Sequence, residues 1–488
     1  MKRIQQKSRR KSSCSRKSVP AKPRRSGRRP RKQKPSPPVF FQPNSAGIDI
    51  GATEIFVAVP EDRDTQPVRS FGTYTAELRQ AARWLKSCRI ERVAMESTGV
   101  YWIPVFQILE EAGLEVCLVN ARHVKNVPGR KTDAKDCQWL QYLHSVGLLE
   151  KSFRPAAEIC AVRSLLRHRQ NLMAMINQHT QHMHKSLTQM NLQLHHVLKD
   201  VTGQSGLRIL DAILNGQRNR QALAALCDKR VKASQKEIMQ SLEGDYRPEH
   251  LFVLGQALAA YRFTLSQVEQ LDQEVLRMVQ KLSAARPDKA SPPLANPGKF
   301  ETVYDRTLAA ETARAFGVDL TSIPCVSAWA ASNLLSEIGP DVEAWKSEKH
   351  FASWLALCPN NQISGGKVLS SSTRRAHNRA KYILRMCAYA ASHSKSPIGD
   401  YFRRMRSRLG PAQAYIATAH KLARVTYRCI KTGQPYDEQL RKRDTEAAAM
   451  ARFRRLSRQA EELGFLLLPK VQLRRNRCQN TKPENAKA

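Results

Sequence analysis

Three patterns of apolar and polar positions succeed one another along the chain. From Ser45 to about Leu149, short apolar runs alternate with amphipathic stretches. Gly47-Ile48-Asp49-Ile50-Gly51 and Ile55-Phe56-Val57-Ala58-Val59 read as two strands joined by a turn. Arg92-Val93-Ala94-Met95 predicts a third strand, leading through Glu96-Ser97-Thr98-Gly99 into a helix near Tyr101 to Ala112. Leu114 to Val119 predicts a fourth, leading through a basic loop into a helix from about Thr132 to Ser145. Strands that each feed a helix make this an α/β domain. From residue 155 to 285 the spacing becomes 3-4: Ile159, Val162, Leu166, Met173, Ile176, Met183, Leu187, Met190 and Leu194 follow it, interrupted by Arg169 and Thr180. Leu251, Leu254, Leu258, Tyr261, Leu265, Val268, Val275 and Val279 form a second stripe, interrupted by Asp272. Two such stripes predict a coiled-coil hairpin, a dimer interface, or both, and two ordinary core-packed helices fit the periodicity equally well. Beyond a Pro-, Ala- and Ser-rich linker, the chain from Leu308 to about Ile430 reads as mostly helical.

The fold expected is therefore α/β plus all-α. It divides into a basic tail (1–44), an α/β domain (45–150), a helical coiled-coil linker (151–285), a connecting segment (286–307), a helical domain (308–437) and a basic helical tail (438–488).

Charge narrows the partners. The 488 residues include 81 Lys+Arg against 42 Asp+Glu, a formal net charge of +39. Such an excess repels itself unless an anionic partner neutralises it, and nucleic acid and anionic membrane are the common candidates. Residues 1–40 carry 16 Lys/Arg and no acid, which predicts a disordered tail that contacts phosphates without reading sequence. The remainder still carries +23, and Phe351 to Gly410 alone holds 11 Lys/Arg against the single acid Asp400. No apolar run approaches the roughly 18 to 20 residues that span a bilayer, so membrane is the weaker partner. The 11 cysteines are scattered and nowhere spaced CxxC, which fits reduced thiols rather than a disulfide or zinc framework. Five histidines between His179 and His196 lack acidic or thiol companions and do not read as a metal site.

Four carboxylates stand where strand ends and a helix would gather them. Asp49 lies on the first strand, Glu96 follows the third, and Asp133 and Asp136 are three apart, on one helical face. Acids this close stay ionised only if a cation offsets their repulsion, and hard oxygen ligands select Mg²⁺ or Mn²⁺. Asp49-Ile50-Gly51-Ala52-Thr53 also resembles the first phosphate loop of actin-like ATPases, but no second phosphate loop or Gly-rich adenosine pocket follows. A second candidate is Ser364 in Ile363-Ser364-Gly365-Gly366-Lys367, with Lys367, Arg374, Arg375, Arg379, Lys381 and Arg385 downstream and Ser370, Ser371 and Ser372 as rival hydroxyls. Positive potential is one means of activating a serine toward phosphorus. Arg375, Arg379 and Lys381 are expected on one helical face, and Lys131 beside the acids is a further phosphate contact.

In combination and order these motifs resemble the DEDD transposases of the insertion-sequence one-ten family. The residues that carry the resemblance are Gly47-Ile48-Asp49-Ile50-Gly51, Met95-Glu96-Ser97-Thr98-Gly99-Val100-Tyr101, Lys131-Thr132-Asp133-Ala134-Lys135-Asp136, Ser322-Ile323-Pro324, Leu335-Ser336-Glu337-Ile338-Gly339, Leu357-Cys358-Pro359 and Ile363-Ser364-Gly365. The resemblance implies a RuvC-like, ribonuclease H type domain whose Asp49, Glu96, Asp133 and Asp136 hold Mg²⁺ (or Mn²⁺). It implies a helical transposase domain whose Ser364 joins covalently to DNA. It also implies a guide (bridge) RNA that pairs with donor and target DNA, a tetramer built as a dimer of dimers with composite active sites, and a cytoplasmic, nucleoid-associated bacterial location. Water as nucleophile would make the same quartet a junction nuclease, and charge alone would suit a non-catalytic scaffold. Two departures stand out: Pro324-Cys325-Val326-Ser327 replaces the relatives' Pro-Gly-Val-Gly, and His377 stands where a glycine is usual.

Overall fold

A computed structural model describes residues 41–97, 99–120, 133–286, 292–376, 378–437, 450 and 453–466. The chain forms two compact units, Met1–Phe153 and Arg154–Ala488.

The first unit is a five-stranded sheet in the order β3-β2-β1-β4-β5, with β1 Ser45–Ile50, β2 Glu54–Ala58, β3 Val68–Gly72, β4 Arg92–Glu96 and β5 Glu115–Val119. β1, β2 and β3 pair antiparallel, whereas β4 and β5 run parallel to β1. The four strands expected from the pattern are present; β3 and helix α1 (Thr75–Ser87) are additions. Ala46, Ile48, Val57, Val93, Met95 and Val116 bury one face of the sheet under α1 and α2 (Trp102–Glu111). The other face is lined by small groups, Gly47, Ala58 and Ala94, and carries α3 (Asp133–Ser145) so closely that a Cβ on Gly47 would stand 2.2 Å from Cys137 O.

The second unit opens on a long helix, α4 (Ala157–Gln189). Four shorter helices follow, α5 (Leu194–Val197), α6 (Gln204–Leu214), α7 (Arg220–Ala224) and α8 (Gln235–Ser241), before the long α9 (Pro248–Ala284) returns. Asp245 N donates to Met190 O near one end, and Arg169 pairs with Asp272 further along, so the two long helices are antiparallel. The periodic stripes meet along this pair, with Leu166, Ile176, Met183, Leu187, Leu254, Leu258, Val268 and Val275 buried, whereas Met173 faces solvent and Leu172 is buried.

Two of the three polar interruptions, Arg169 and Asp272, pair with each other, while Thr180 donates to Ile176 O within its own helix. Arg169 Nε and Nη2 donate to the Asp272 carboxylate at 2.6 and 3.0 Å, with both side chains about four-fifths buried. The Arg169 guanidinium also lies 3.6 Å from the Trp329 ring centre. Removing one partner of a buried pair leaves an uncompensated charge, which costs about 3 kcal/mol. Arg169→Ala is therefore expected to lower the unfolding free energy by that amount, read from a denaturant titration. Arg169→Lys, lacking the planar fork, should recover only part of it.

The remainder is helical: α10 (Val303–Phe316), α11 (Ala328–Ile338), α12 (Glu348–Trp354), the hairpin β6 (Gln362–Ser364) and β7 (Lys367–Ser370), then α13 (Arg379–Ser392), α14 (Pro397–Leu409) and α15 (Pro411–Thr432). The long-helix pair is tied to α11 by Arg163 and Arg167, which both bind Glu337. Before α11, Cys325 adopts φ +70°, a conformation natural to glycine and costly for a residue with a Cβ. Lys299 braces this turn by donating to Val326 O at 2.9 Å. Cys325→Gly is expected to stabilise the protein by about 1 kcal/mol, read as a raised denaturant midpoint. His377 lies outside the described residues.

Candidate functional site

Alternation along the strands decides which face each acid occupies. On β1, Ala46, Ile48 and Ile50 enter the core under α1 and α2, so Gly47 and Asp49 face the other side. On β4, Val93 and Met95 do the same, leaving Ala94 and Glu96 beside them. Ile48 pairs with Met95 in parallel register. One further step sets Asp49 next to Glu96, across the roughly 4.8 Å that separate neighbouring strands.

α3 brings its acids to the same end. Gln42 N donates to Ser145 O at 3.0 Å, and Gly47 meets the backbone of Cys137 and Gln141, so α3 runs antiparallel to β1. Its first turn, with Asp133 and Asp136, therefore arrives at the carboxyl end of β1. Asp49, Glu96 and Asp136 are all half-buried, and Asp49 Oδ1 accepts from Ile50 N at 3.1 Å. The side chain of Asp133 lies outside the described residues, as does all of Lys131. Burial, and to a smaller extent the Asp49 and Asp136 carboxylates, pushes the Cys137 thiol up to about 12. Two of the acids thus act on one thiol. Among the described residues no three ligating side chains form a group able to hold a metal ion. Of the acids, the described side chains of Asp49, Glu96 and Asp136 sit at one end of the sheet without closing into a ligand shell.

Ser364 has different surroundings. It ends β6 and pairs with Lys367 across Gly365 and Gly366, whose φ angles are +53° and +77°. Two successive positive φ values make the tightest hairpin turn, which glycine enters without strain. Ser364 through Lys367 are exposed, and nothing lies within 4 Å of where a Cβ on either glycine would sit. The stem is held by the Pro359–Thr373 bridge and by Asn360 N donating to Ser372 O at 2.9 Å. Ser370 and Ser372 are engaged with each other at 3.1 Å.

At the foot of the hairpin, Thr373 opens a groove of about 650 Å³ lined also by Arg374, Arg375, Asn378, Arg379, Lys381, Tyr382 and Arg385. Five of the seven expected basic contacts share it; Lys367 stands on the hairpin. Arg375 is not on a helical face with Arg379. The Asn378 side chain accepts from Lys381 N at 3.0 Å and caps α13, so the helix begins at Arg379 and Arg375 belongs to the irregular chain before it. Arg379 donates to Gln170 Oε1 at 2.6 Å, and Gln170 Nε2 donates to Asn333 at 3.0 Å, so α4 and α11 fix that arginine's position. Burial, then the charges of Arg385 and Arg374, lowers the Lys381 pKa. An anion in the groove would relieve that strain. Asn378 before an apolar-periodic run is a readable helix start, whereas Gln170, 209 residues from its partner, carries no local signal.

The comparisons coincide with these two places. Residues 46–192, which include all four acids, match the DEDD-type transposase model of the IS110 family. Residues 319–403, which include Ser364 and the groove, match the transposase model of the IS116/IS110/IS902 family. Two separate stretches of the chain are thus similar to IS110-type transposases. The chain is 27% identical over 148 residues to "Putative transposase y4pF/y4sB" of Sinorhizobium fredii (strain NBRC 101917 / NGR234), a match that covers 28% of this chain and 37% of that protein. The chain thus aligns with little more than a third of that relative's length. Among the described residues, no helix is long and apolar enough to cross a membrane.

Proposed function

We propose that this chain is the recombinase of an insertion sequence, breaking and rejoining DNA phosphodiesters at the element's ends and its target. The observation that carries the reading is the setting of α3 against β1, which directs Asp133 and Asp136 to the strand end where Asp49 and Glu96 lie side by side, in a stretch similar to IS110-type transposases. The strand order β3-β2-β1-β4-β5 supports a RuvC-like, ribonuclease H type domain. Asp49, Glu96, Asp133 and Asp136 are four hard oxygen donors without sulfur or imidazole, a set that suits Mg²⁺ or Mn²⁺. When bound, such an ion stabilises charge on phosphate oxygens and lowers the pKa of an attacking hydroxyl.

The chain's own residues supply the remaining steps. The Ser364 hydroxyl attacks phosphorus; the O–P ester to serine forms as the bond to one deoxyribose oxygen breaks, and the serine proton passes to the departing oxygen. Attack by the hydroxyl of another strand reverses these changes and restores serine, so bond energy is conserved and no ATP is consumed. Arg374, Arg375, Arg379, Lys381 and Arg385 hold the flanking phosphates, with Lys367 and Lys131 as further contacts. A guide RNA supplies sequence choice by base pairing, leaving backbone and shape to the protein. A tetramer is the assembly this reading takes from the resemblance; the stripes of α4 and α9 are themselves buried against each other within one chain.

The test is a trapping assay with Mg²⁺, end-containing DNA and the element's RNA, resolved on a denaturing gel. Wild type is expected to form a protein–DNA adduct and Ser364→Ala to form none. Cleavage without adduct, unchanged by the substitution, would replace the serine scheme by a nuclease that uses water.

A further inference from the structure

The solvent face of α13 carries side chains that neither the core nor the arginines explain. Tyr382, Met386, Tyr389 and His393 fall at i, i+4, i+7 and i+11, one stripe along the helix. Tyr382 is 57% exposed, Met386 49% and Tyr389 53%. The opposite face, Ile383, Leu384, Cys387, Ala388 and Ala391, is fully packed, so the stripe is a second apolar surface on an element already docked.

Its position and its bracing both matter. Tyr382 lines the basic groove beside Arg379, Lys381 and Arg385, so the stripe starts among the phosphate-facing cations. Tyr389, two turns on, is backed by Tyr415, whose ring lies 6.0 Å away and inclined by 29°, and Tyr415 in turn packs 4.8 Å from Phe402. The His393 ring meets Tyr389 edge-on at 5.0 Å. A ring held from behind and open in front loses little freedom when a flat partner covers it.

We propose that this stripe is a base-stacking platform for a single-stranded segment of polynucleotide whose phosphates follow the groove. The proposal rests on the nucleic-acid reading of that groove and adds the form of the ligand. Charge complementarity selects a polyanion, and the apolar stripe selects one with uncovered base faces. In a duplex those faces are hidden against each other, and the sugar-phosphate edge offers two tyrosines and a methionine no flat surface to cover, only hydrogen bonds to the hydroxyls, which Phe would lose. Seven residues of helix separate Tyr382 from Tyr389 by about 10 Å, room for about three stacked bases. Stacking of this kind tolerates any base, because each has a π face.

The experiment measures binding of the full-length protein to fluorescein-labelled oligo(dT), oligo(rU) and a mixed-sequence duplex, each about 20 residues long. Salt is varied over a range that starts high enough to suppress most contacts from the basic tail. Tyr382→Ala/Tyr389→Ala is expected to weaken single-strand binding about tenfold or more, with duplex affinity and the salt slope unchanged. Tyr382→Phe/Tyr389→Phe should restore it. The larger loss, on oligo(dT) or on oligo(rU), tells which strand is bound. An unchanged single-strand affinity would overturn the proposal, as would equal losses on both forms. A shift in oligomeric state with single-strand binding intact would also overturn it, because a second copy would then cover the stripe. Failure of the groove reading looks different: Arg375→Ala and Arg385→Ala would leave every affinity and the salt slope untouched, and the platform would fall with it.

Discussion

Asp136→Asn is expected to lower strand exchange by a factor on the order of 10³ or more, while the thermal midpoint of the metal-free protein stays the same or rises slightly. The change removes a charge and keeps the shape. Asp136 stands half-buried in the first turn of α3, at the strand end that also carries Asp49 and Glu96. Without a cation these acids repel one another, so deleting one charge relieves the folded state. With a divalent cation the sign reverses: an ion bound only by the folded protein stabilises it by mass action, and an amide in place of a carboxylate weakens that binding. Wild type should therefore gain thermal stability on adding Mg²⁺, and Asp136→Asn should gain much less. The loss of several kcal/mol of charge stabilisation at the reacting phosphate accounts for the rate factor. Exchange retained in the variant would remove Asp136 from the site, whatever the melting curves did.

How much of this was legible before the fold was known varies with the range of the interaction. Asp49 and Glu96 were readable because each ends an apolar run, and strand ends on one sheet face are neighbours wherever the strands pair in parallel. Asp133 and Asp136 were readable as a helical i, i+3 pair, but the antiparallel direction of α3 over β1 follows from Gly47 and the Gln42–Ser145 bond, which span about a hundred residues of chain. β3 escaped the pattern because this edge strand is only half-buried and carries just two large apolar side chains, Val68 and Phe71. α1 escaped because Ala81 and Ala82 fill much of its buried stripe. The Arg169–Asp272 pair was visible only as two blemishes in separate heptads. Each is an interruption alone, and only the hairpin makes them one contact. Spacing alone sets Arg375 on a helix with Arg379, because spacing knows nothing of the Asn378 cap that starts the helix four residues later. Local periodicity thus located the groups, and non-local packing decided which of them meet.

Gly47→Ala is the substitution that separates packing from chemistry at the acidic site, and it is expected to damage both. An added methyl group would lie 2.2 Å from Cys137 O, 2.4 Å from Gln141 N and 3.0 Å from Gln141 Cα. All three are backbone atoms of α3, so no side-chain rotamer can absorb the clash; the helix must lift away from β1 by on the order of 1 Å. Overpacking of this kind costs about 1–3 kcal/mol, which a urea titration would show as a lower midpoint with an unaltered slope. The same lift carries Asp133 and Asp136 away from Asp49 and Glu96. Misplacing reacting groups by about 1 Å costs about a hundredfold in rate, so exchange should fall by that factor even where the variant is fully folded. Gly365→Ala, at a hairpin tip with open space around it, is the contrasting case and would act through its positive φ alone, leaving α3 in place. If Gly47→Ala folded and recombined like wild type, α3 could not lie directly on β1, and the convergence of the four acids would lose its structural basis.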